Sequence, residues 1–278
     1  MEYPAESTRC DPDLHVDLRS VRVGAEFLRP LHPDLRKFVI RRALDDVADD
    51  FVHLQQAAET GVRGSRRVGI ATALQTSVAQ RSENELLISG QEVMQDWEAP
   101  LMKSMSRVAA SHGGHILEVG FGMGISAGYL HDAGIETHTI IEANPEVAAR
   151  AKEWARRQET DTRVVVGRWQ DAPSDIGPFE GILFDTYPAD EHEYEQHVLQ
   201  APTFAEHFMP WAVEHLVPGG VLTYYTMEVD SLSRRHQRAL LNHFESFHVS
   251  RIEGLRPPTD CTYWWANSMA VVGAIRGK

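Results

Sequence analysis

The residues with the clearest chemical signature lie in Glu118-Val-Gly120-Phe-Gly122-Met-Gly124-Ile125, between a predicted strand and a predicted helix. Glycines at such a junction let the backbone turn sharply and approach a ligand closely, because no Cβ intervenes. A phosphate-cradling loop would end in Gly-Lys-Ser/Thr, and no lysine is present. A dinucleotide fingerprint would place its last glycine at 125, which is Ile125. The spacing is acid-x-Gly-x-Gly-x-Gly. Further on, the run Ile140-Ile141-Glu142 ends a second predicted strand. A carboxylate at that strand tip can accept both hydrogen bonds of a ribose diol. A fourth predicted strand ends in Gly181-Ile-Leu-Phe-Asp185-Thr186. Open α/β sheets bind ligands outside the carboxyl ends of their strands, so Asp185 is expected beside the reacting atoms.

Elements that could position these residues follow from periodicity. Strands are predicted at His115–Val119, Thr137–Glu142, Arg163–Val166, Gly181–Asp185, Val221–Thr226, Phe247–Ile252 and Met269–Ala274. Helices are predicted between them at Ile125–Ala133, Pro145–Gln158, Thr203–Leu216 and Ser231–Phe244. This alternation means βαβ units and a mainly parallel sheet, an α/β class. Leu216-Val-Pro-Gly-Gly220 reads as a tight turn into the fifth strand. Upstream, spacings of three and four predict helices over Pro33–Glu59, about Ile70–Gln80 and Gly90–Ser111. The expected division is a helical part over residues 1–112 and an α/β domain over 113–278. The helical part would cover the site or support a homodimer.

Composition narrows the function. With 40 acidic against 27 basic residues the net charge is -13, which argues against clamping nucleic acid and suits a small cationic substrate. Hydrophobic residues at 42% fit a globular chain with a sizeable core. Cys10 and Cys261 are too few for a disulfide framework or a four-cysteine zinc site. No apolar run could span a bilayer, and the N-terminus is too polar for a signal peptide, so a cytoplasmic protein with no membrane partner is expected. Arg63, Arg66 and Arg67 read as a solvated loop. His192 and His197 are five apart, off a common helical face, so no metal is expected there.

The glycine loop resembles motif I of class I S-adenosylmethionine (SAM)-dependent methyltransferases, which implies a Rossmann-like sheet with helices on both faces. Seven segments in order are similar to a narrower family, the guanidinoacetate N-methyltransferases and related arginine N-methyltransferases of fungi and bacteria. They are VMQDWEAPLM (93–102), GGHILEVGFGMGI (113–125), IIEAN (140–144), GRWQD (167–171), GILFDTYP (181–188), LVPGGVLTY (216–224) and PPTDCTYW (257–264). The resemblance covers about residue 90 to the C-terminus. It implies SAM contacts from Met94, Met102, Gly120, Gly122, Met123, Gly124, Ile125, Ser126, Glu142, Ala143, Asn144, Trp169, with Gln170 or Asp171, and Asp185. It implies that Glu98 and Asp185 grip the guanidinium, that Asp185 and Thr186 lie between cofactor and acceptor, and that Asp185 takes the proton. S-adenosylhomocysteine would be the product. A guanidinium is a poor nucleophile until it loses a proton, and carboxylates both bind its fork and accept that proton.

The resemblance leaves several acceptors open. Animal guanidinoacetate enzymes carry an early lid tryptophan, whereas the first Trp here is Trp97. The far end of the acceptor would then be read by the N-terminal part and the segment around Thr259–Trp265. Free L-arginine is the favoured acceptor, with guanidinoacetate next. Arginine in a protein would need an open groove. A non-catalytic SAM-binding module is disfavoured because it has no need of Glu98 and Asp185.

Overall fold

The computed structural model describes residues 78–278, apart from 83, 89, 90, 189–192, 194, 200, 227, 229, 230, 260, 262 and 265. The helix expected over Pro33–Glu59, the basic loop at Arg63–Arg67, Cys10 and His192 lie outside the described residues.

A small antiparallel sheet opens the described chain: β1 (Ala79–Arg81), β2 (Glu85–Ile88) and β3 (Gln91–Gln95), in that order. Helix α1 (Ala99–Ala109) follows. The main sheet then builds from β4 (His115–Val119), β5 (Thr137–Glu142), β6 (Asp161–Val166), β7 (Phe179–Phe184), β8 (Leu216–Thr226), β9 (Ser246–Glu253) and β10 (Ser268–Ile275). Helices α2 (Ile125–Asp132), α3 (Pro145–Ala155), α4 (Met209–His215) and α5 (Arg234–His243) connect its strands. The order is β6-β5-β4-β7-β8-β10-β9, with β10 antiparallel to both neighbours and the other described pairs parallel. The chain leaves β4 in one direction and returns to β7 in the other, so a crevice opens at the carboxyl ends of β4 and β7.

The central strands are apolar on both faces because helices cover both. On β4, Ile116 joins one core and Leu117 and Val119 the other; on β7, Leu183 faces the first and Ile182 and Phe184 the second. The first core takes in α1 through Leu101, Met102, Met105 and Ala109, all fully buried. Burial on that scale stabilises by about 1.5–3 kcal/mol per large side chain. The N-terminal sheet enters the same core through Leu86, Ile88 and Met94.

Three sequence expectations are corrected. The helix expected over Gly90–Ser111 is instead β3, a 3-10 turn at Asp96–Glu98, and α1. Val93, Met94 and Trp97 fit helical spacing, but Pro100 cannot donate to Asp96, so the α-helix can begin only just before it. Ala79–Gln80, expected to end a helix, are in β1. The helix over Thr203–Leu216 splits into a 3-10 turn, Phe204–Phe208, and α4, with Pro210 in its first turn for the same reason. The Leu216–Gly220 turn forms the irregular start of β8: pairing jumps from Phe179↔Leu216 to Gly181↔Val221.

Candidate active site

The glycine loop is held open by its two flanking strands. The Gly120 amide donates to the Ile141 carbonyl at 2.8 Å, and the Asp185 amide donates to the Val119 carbonyl at 2.9 Å. Gly120 sits at φ 94, and a Cβ there would lie 1.9 Å from the Asp185 carbonyl oxygen. A Cβ on Gly122 would lie 2.7 Å from the Met94 sulfur. That sulfur accepts from the Met123 amide at 3.3 Å. Met94 therefore seats β3 on the loop, joining the small sheet to the glycine turn. Gly124 caps α2, and Ile125 packs against the first core.

Glu142 braces the loop from β5. One carboxylate oxygen accepts from the Phe121 amide at 2.9 Å and the other from the Asn144 amide at 2.8 Å. Burial pushes its carboxyl up, while the amides of Asn144, Phe121 and Gly122 pull it back towards ionisation. Asn144 caps α3, its side-chain oxygen accepting from Glu146 at 3.0 Å and Val147 at 3.1 Å. Beneath the loop, fully buried Glu118 accepts from the Ser126 hydroxyl, and His138 lies 3.2 Å from its other oxygen. That ion-pair distance lacks hydrogen-bond geometry, since both atoms are without a hydrogen-bond partner. Ser126 also accepts through its carbonyl from Ser106, at 3.1 Å.

Over the crevice lies a cavity of about 780 Å³, including its open mouth. It places Met94, Glu98, Gly120, Gly122, Glu142, Asp185 and Thr186 around one space. Burial, then the charge of Glu98 and of Glu118, push the Asp185 carboxyl well above the usual carboxylate range. A hydrogen bond with Tyr225 works against that rise. Glu98 is 3% exposed and accepts from the Gln95 amide at 2.8 Å and from the Tyr263 hydroxyl. Trp97 packs on Tyr263, and its indole N–H donates to the Gln95 side chain at 2.8 Å.

A second cavity, about 390 Å³ including its open mouth, shares Thr186 and Tyr187 with the first. Ala143, Gly167, Arg168, Trp169, Gln170 and Phe204 are on its wall. The Gln170 amide donates to Glu193 at 3.0 Å. Trp169 is wedged against Phe208, Trp211 and His207, so this ring is fixed by the second core.

Seven expected contacts do not line these cavities: Met123, Gly124, Ile125 and Ser126 form the loop and the start of α2, Asn144 caps α3, and Met102 and Asp171 are drawn elsewhere. Met102 is fully buried with Leu101 and Met105 in the core. Asp171 turns away and pairs with Arg168, 3.1 Å from its Nε. His197, weighed for metal, stacks on His207 with centroids 4.1 Å apart. The sequence reading missed Glu92, Leu86, Ile88 and Val147 on the first cavity, and the three tyrosines 187, 225 and 263. Tyr187 and Tyr263 fall inside quoted motifs, and Tyr225 adjoins one, so their neighbourhood was visible although their direction was not.

The guanidinoacetate N-methyltransferase family profile matches residues 71–276. Protein arginine N-methyltransferase 2 of Aspergillus oryzae is 30% identical over 145 residues, covering 50% of this chain and 35% of that protein. The protein of the same name in Eremothecium gossypii is 36% identical over 104 residues, covering 34% and 25%. The chain thus aligns with about a third or less of these relatives' length. Spermidine synthase from Thermotoga maritima superposes with a TM-score of 0.50 at 14% identity, covering 72% of each chain, a likeness of fold. With the profile spanning most of the sequence and the glycine loop, Glu142 and the paired carboxylates assembled at the crevice, the chain belongs to the guanidinoacetate N-methyltransferase family of S-adenosylmethionine-dependent enzymes.

Proposed function

We propose that the protein transfers a methyl group from SAM to a guanidino nitrogen of free L-arginine. One observation supports this above the rest. The first cavity carries Glu92, Glu98, Glu142 and Asp185, and its described lining contains no Lys, Arg or His. Such a site favours ligands with net positive charge. L-arginine carries two cationic groups and one carboxylate, whereas guanidinoacetate is a neutral zwitterion.

The residues fit the cofactor. A Cβ on Gly120 or Gly122 would crowd the cradle that the loop leaves. Gly120, Gly122, Met94 and the braced Glu142 would hold its ribose and methionine portion, while Ala143, Gly167 and Gln170 would line the base. Bound there, SAM supplies an electrophilic methyl on a sulfonium. Glu98, fixed by Gln95 and Tyr263, grips one edge of the planar cation. Asp185 grips another edge and orients one nitrogen towards the loop. As that nitrogen takes the methyl and the sulfur–methyl bond breaks, leaving S-adenosylhomocysteine, Asp185 accepts the N–H proton and later releases it to solvent. A carboxyl held above its ordinary range is a better proton acceptor than an exposed one.

A second reading, arginine within a polypeptide, is favoured by the names of the fungal relatives. Mass spectrometry of SAM incubations with L-arginine, guanidinoacetate and an arginine-containing peptide separates the three. We expect L-arginine to turn over more than tenfold faster than guanidinoacetate, because a site built for the amine rejects an analogue lacking it. Faster turnover of guanidinoacetate or of the peptide overturns the preference.

The cofactor assignment has its own check. Removing the Glu142 carboxylate by Glu142→Ala deletes charge-assisted bonds worth about 1.5–3 kcal/mol each. SAM affinity measured by calorimetry should fall by roughly a hundredfold or more in a protein that still melts cooperatively. An unchanged affinity would remove Glu142 from the ribose site.

A further inference from the structure

We infer that Glu92 reads a second cationic nitrogen on the methyl acceptor, so that the preferred substrates are guanidino compounds carrying an amine at the far end. The inference rests on the cavity being the guanidino site and names what lies beyond the guanidinium. Glu92 is on β3, on the same cavity wall as Leu86, Ile88, Val93 and Met94, and partly buried. A carboxylate that lines a ligand cavity attracts a cationic group to its part of that cavity. The Gln95 side-chain amide donates to one Glu92 oxygen at 3.2 Å. A carboxylate accepts up to about four hydrogen bonds, so this bond and one from a ligand ammonium are compatible.

The division of labour among the four carboxylates points the same way. Glu142 is held against the glycine loop and Asp185 sits at the tip of β7. Glu98 and Glu92 are tied to one another through Gln95, whose backbone amide donates to Glu98 and whose side chain donates to Glu92. Glu92 therefore belongs with the guanidinium-gripping end of the cavity and not with the ribose end. Buried Cys261, two residues from the Tyr263 that donates to Glu98, responds to the same pair: after burial, the charges of Glu92 and Glu98 help push its thiol up.

Steady-state kinetics of wild type, Glu92→Gln and Glu92→Lys on four probes test this: L-arginine, agmatine, 4-guanidinobutyrate and guanidinoacetate. The first two carry an amine and the last two do not. Glu92→Gln should raise KM for L-arginine and agmatine roughly tenfold to a hundredfold, the loss of one charge-assisted bond. KM for the other two probes, and for SAM, should stay within about twofold. Glu92→Lys should reverse the order and favour 4-guanidinobutyrate over agmatine. Equal losses on all four probes, or a loss confined to SAM, would overturn the assignment of Glu92. A wild-type enzyme that methylates none of the probes would instead count against the guanidino reading itself.

Discussion

Replacing Asp185 by Asn should leave a folded protein that binds SAM but turns over at least roughly a hundredfold more slowly, the loss expected for a positioned acid–base group. The same change should make the ligand-free protein more heat-stable. Asp185 is partly buried and faces Glu98, Glu118 and Glu142, and their charges add to burial in pushing its carboxyl up. The folded state therefore holds a proton that the unfolded chain releases. Stability falls as pH rises from the ordinary carboxylate range, about 4, towards the raised value. The amide of the Asp185→Asn variant has no proton to lose, so this slope should flatten, and melting at pH 7 should rise by a few degrees, about 1–2 kcal/mol. Activity should show the opposite pH trend. Gripping a guanidinium requires the ionised form, so kcat/KM for wild type should climb with pH through an apparent pKa above the usual carboxylate range. In Asp185→Asn that limb should vanish. Calorimetric melts and pH–rate profiles on both proteins read these outcomes. Near-normal turnover in the variant would mean that the proton leaves by another route.

Much of this site was legible because the chemistry and the fold leave marks at short range. The strand ends that carry Glu142 and Asp185 are apolar runs closed by an acid, and both lie where the reading placed them, at the tips of β5 and β7. The glycine loop was legible because close backbone approach admits few other residues. What escaped was set by long-range packing. Residues 91–95 have helical spacing, yet they are a strand because β2 pairs with them. Nothing local declares that pairing, although Pro100 marks where the helix must begin. Met102 follows Glu98 by four residues, and the resemblance implied a cofactor contact for it. The helix that Pro100 starts turns Met102 to the sheet, while Glu98, in the turn before it, keeps its side chain at the cavity. Asp171 and Gln170 could not be told apart in sequence. The Arg168 bond, three residues back, is what draws Asp171 away. Tyr225 and Tyr263 converge on Asp185 and Glu98 from β8 and from the segment before β10, far away in the chain.

Among the described glycines, Gly120→Ala should be the most damaging added methyl. Its φ of 94 lies where an L-side chain is strained, and the added Cβ would sit 1.9 Å from the Asp185 carbonyl oxygen. That neighbour is backbone, fixed by the Asp185 amide bond to Val119, so it cannot rotate aside. Relief requires β4 and β7 to part at their carboxyl ends, which also displaces the Asp185 carboxylate. Strain of about 1–3 kcal/mol and overpacking of similar size together remove about 2–6 kcal/mol, a large part of the 5–15 kcal/mol typical of a domain. Melting temperature should fall sharply, and SAM affinity and turnover should fall together in whatever remains folded. Gly128→Ala provides the contrast. Gly128 lies within α2, and a Cβ there would meet nothing within 4 Å. Alanine in a helix interior is favoured over glycine by about 0.5–1 kcal/mol, so this variant should melt slightly higher with unchanged kinetics. If both variants melt alike and bind SAM alike, the close approach of the glycine loop to Asp185 is not what shapes the site.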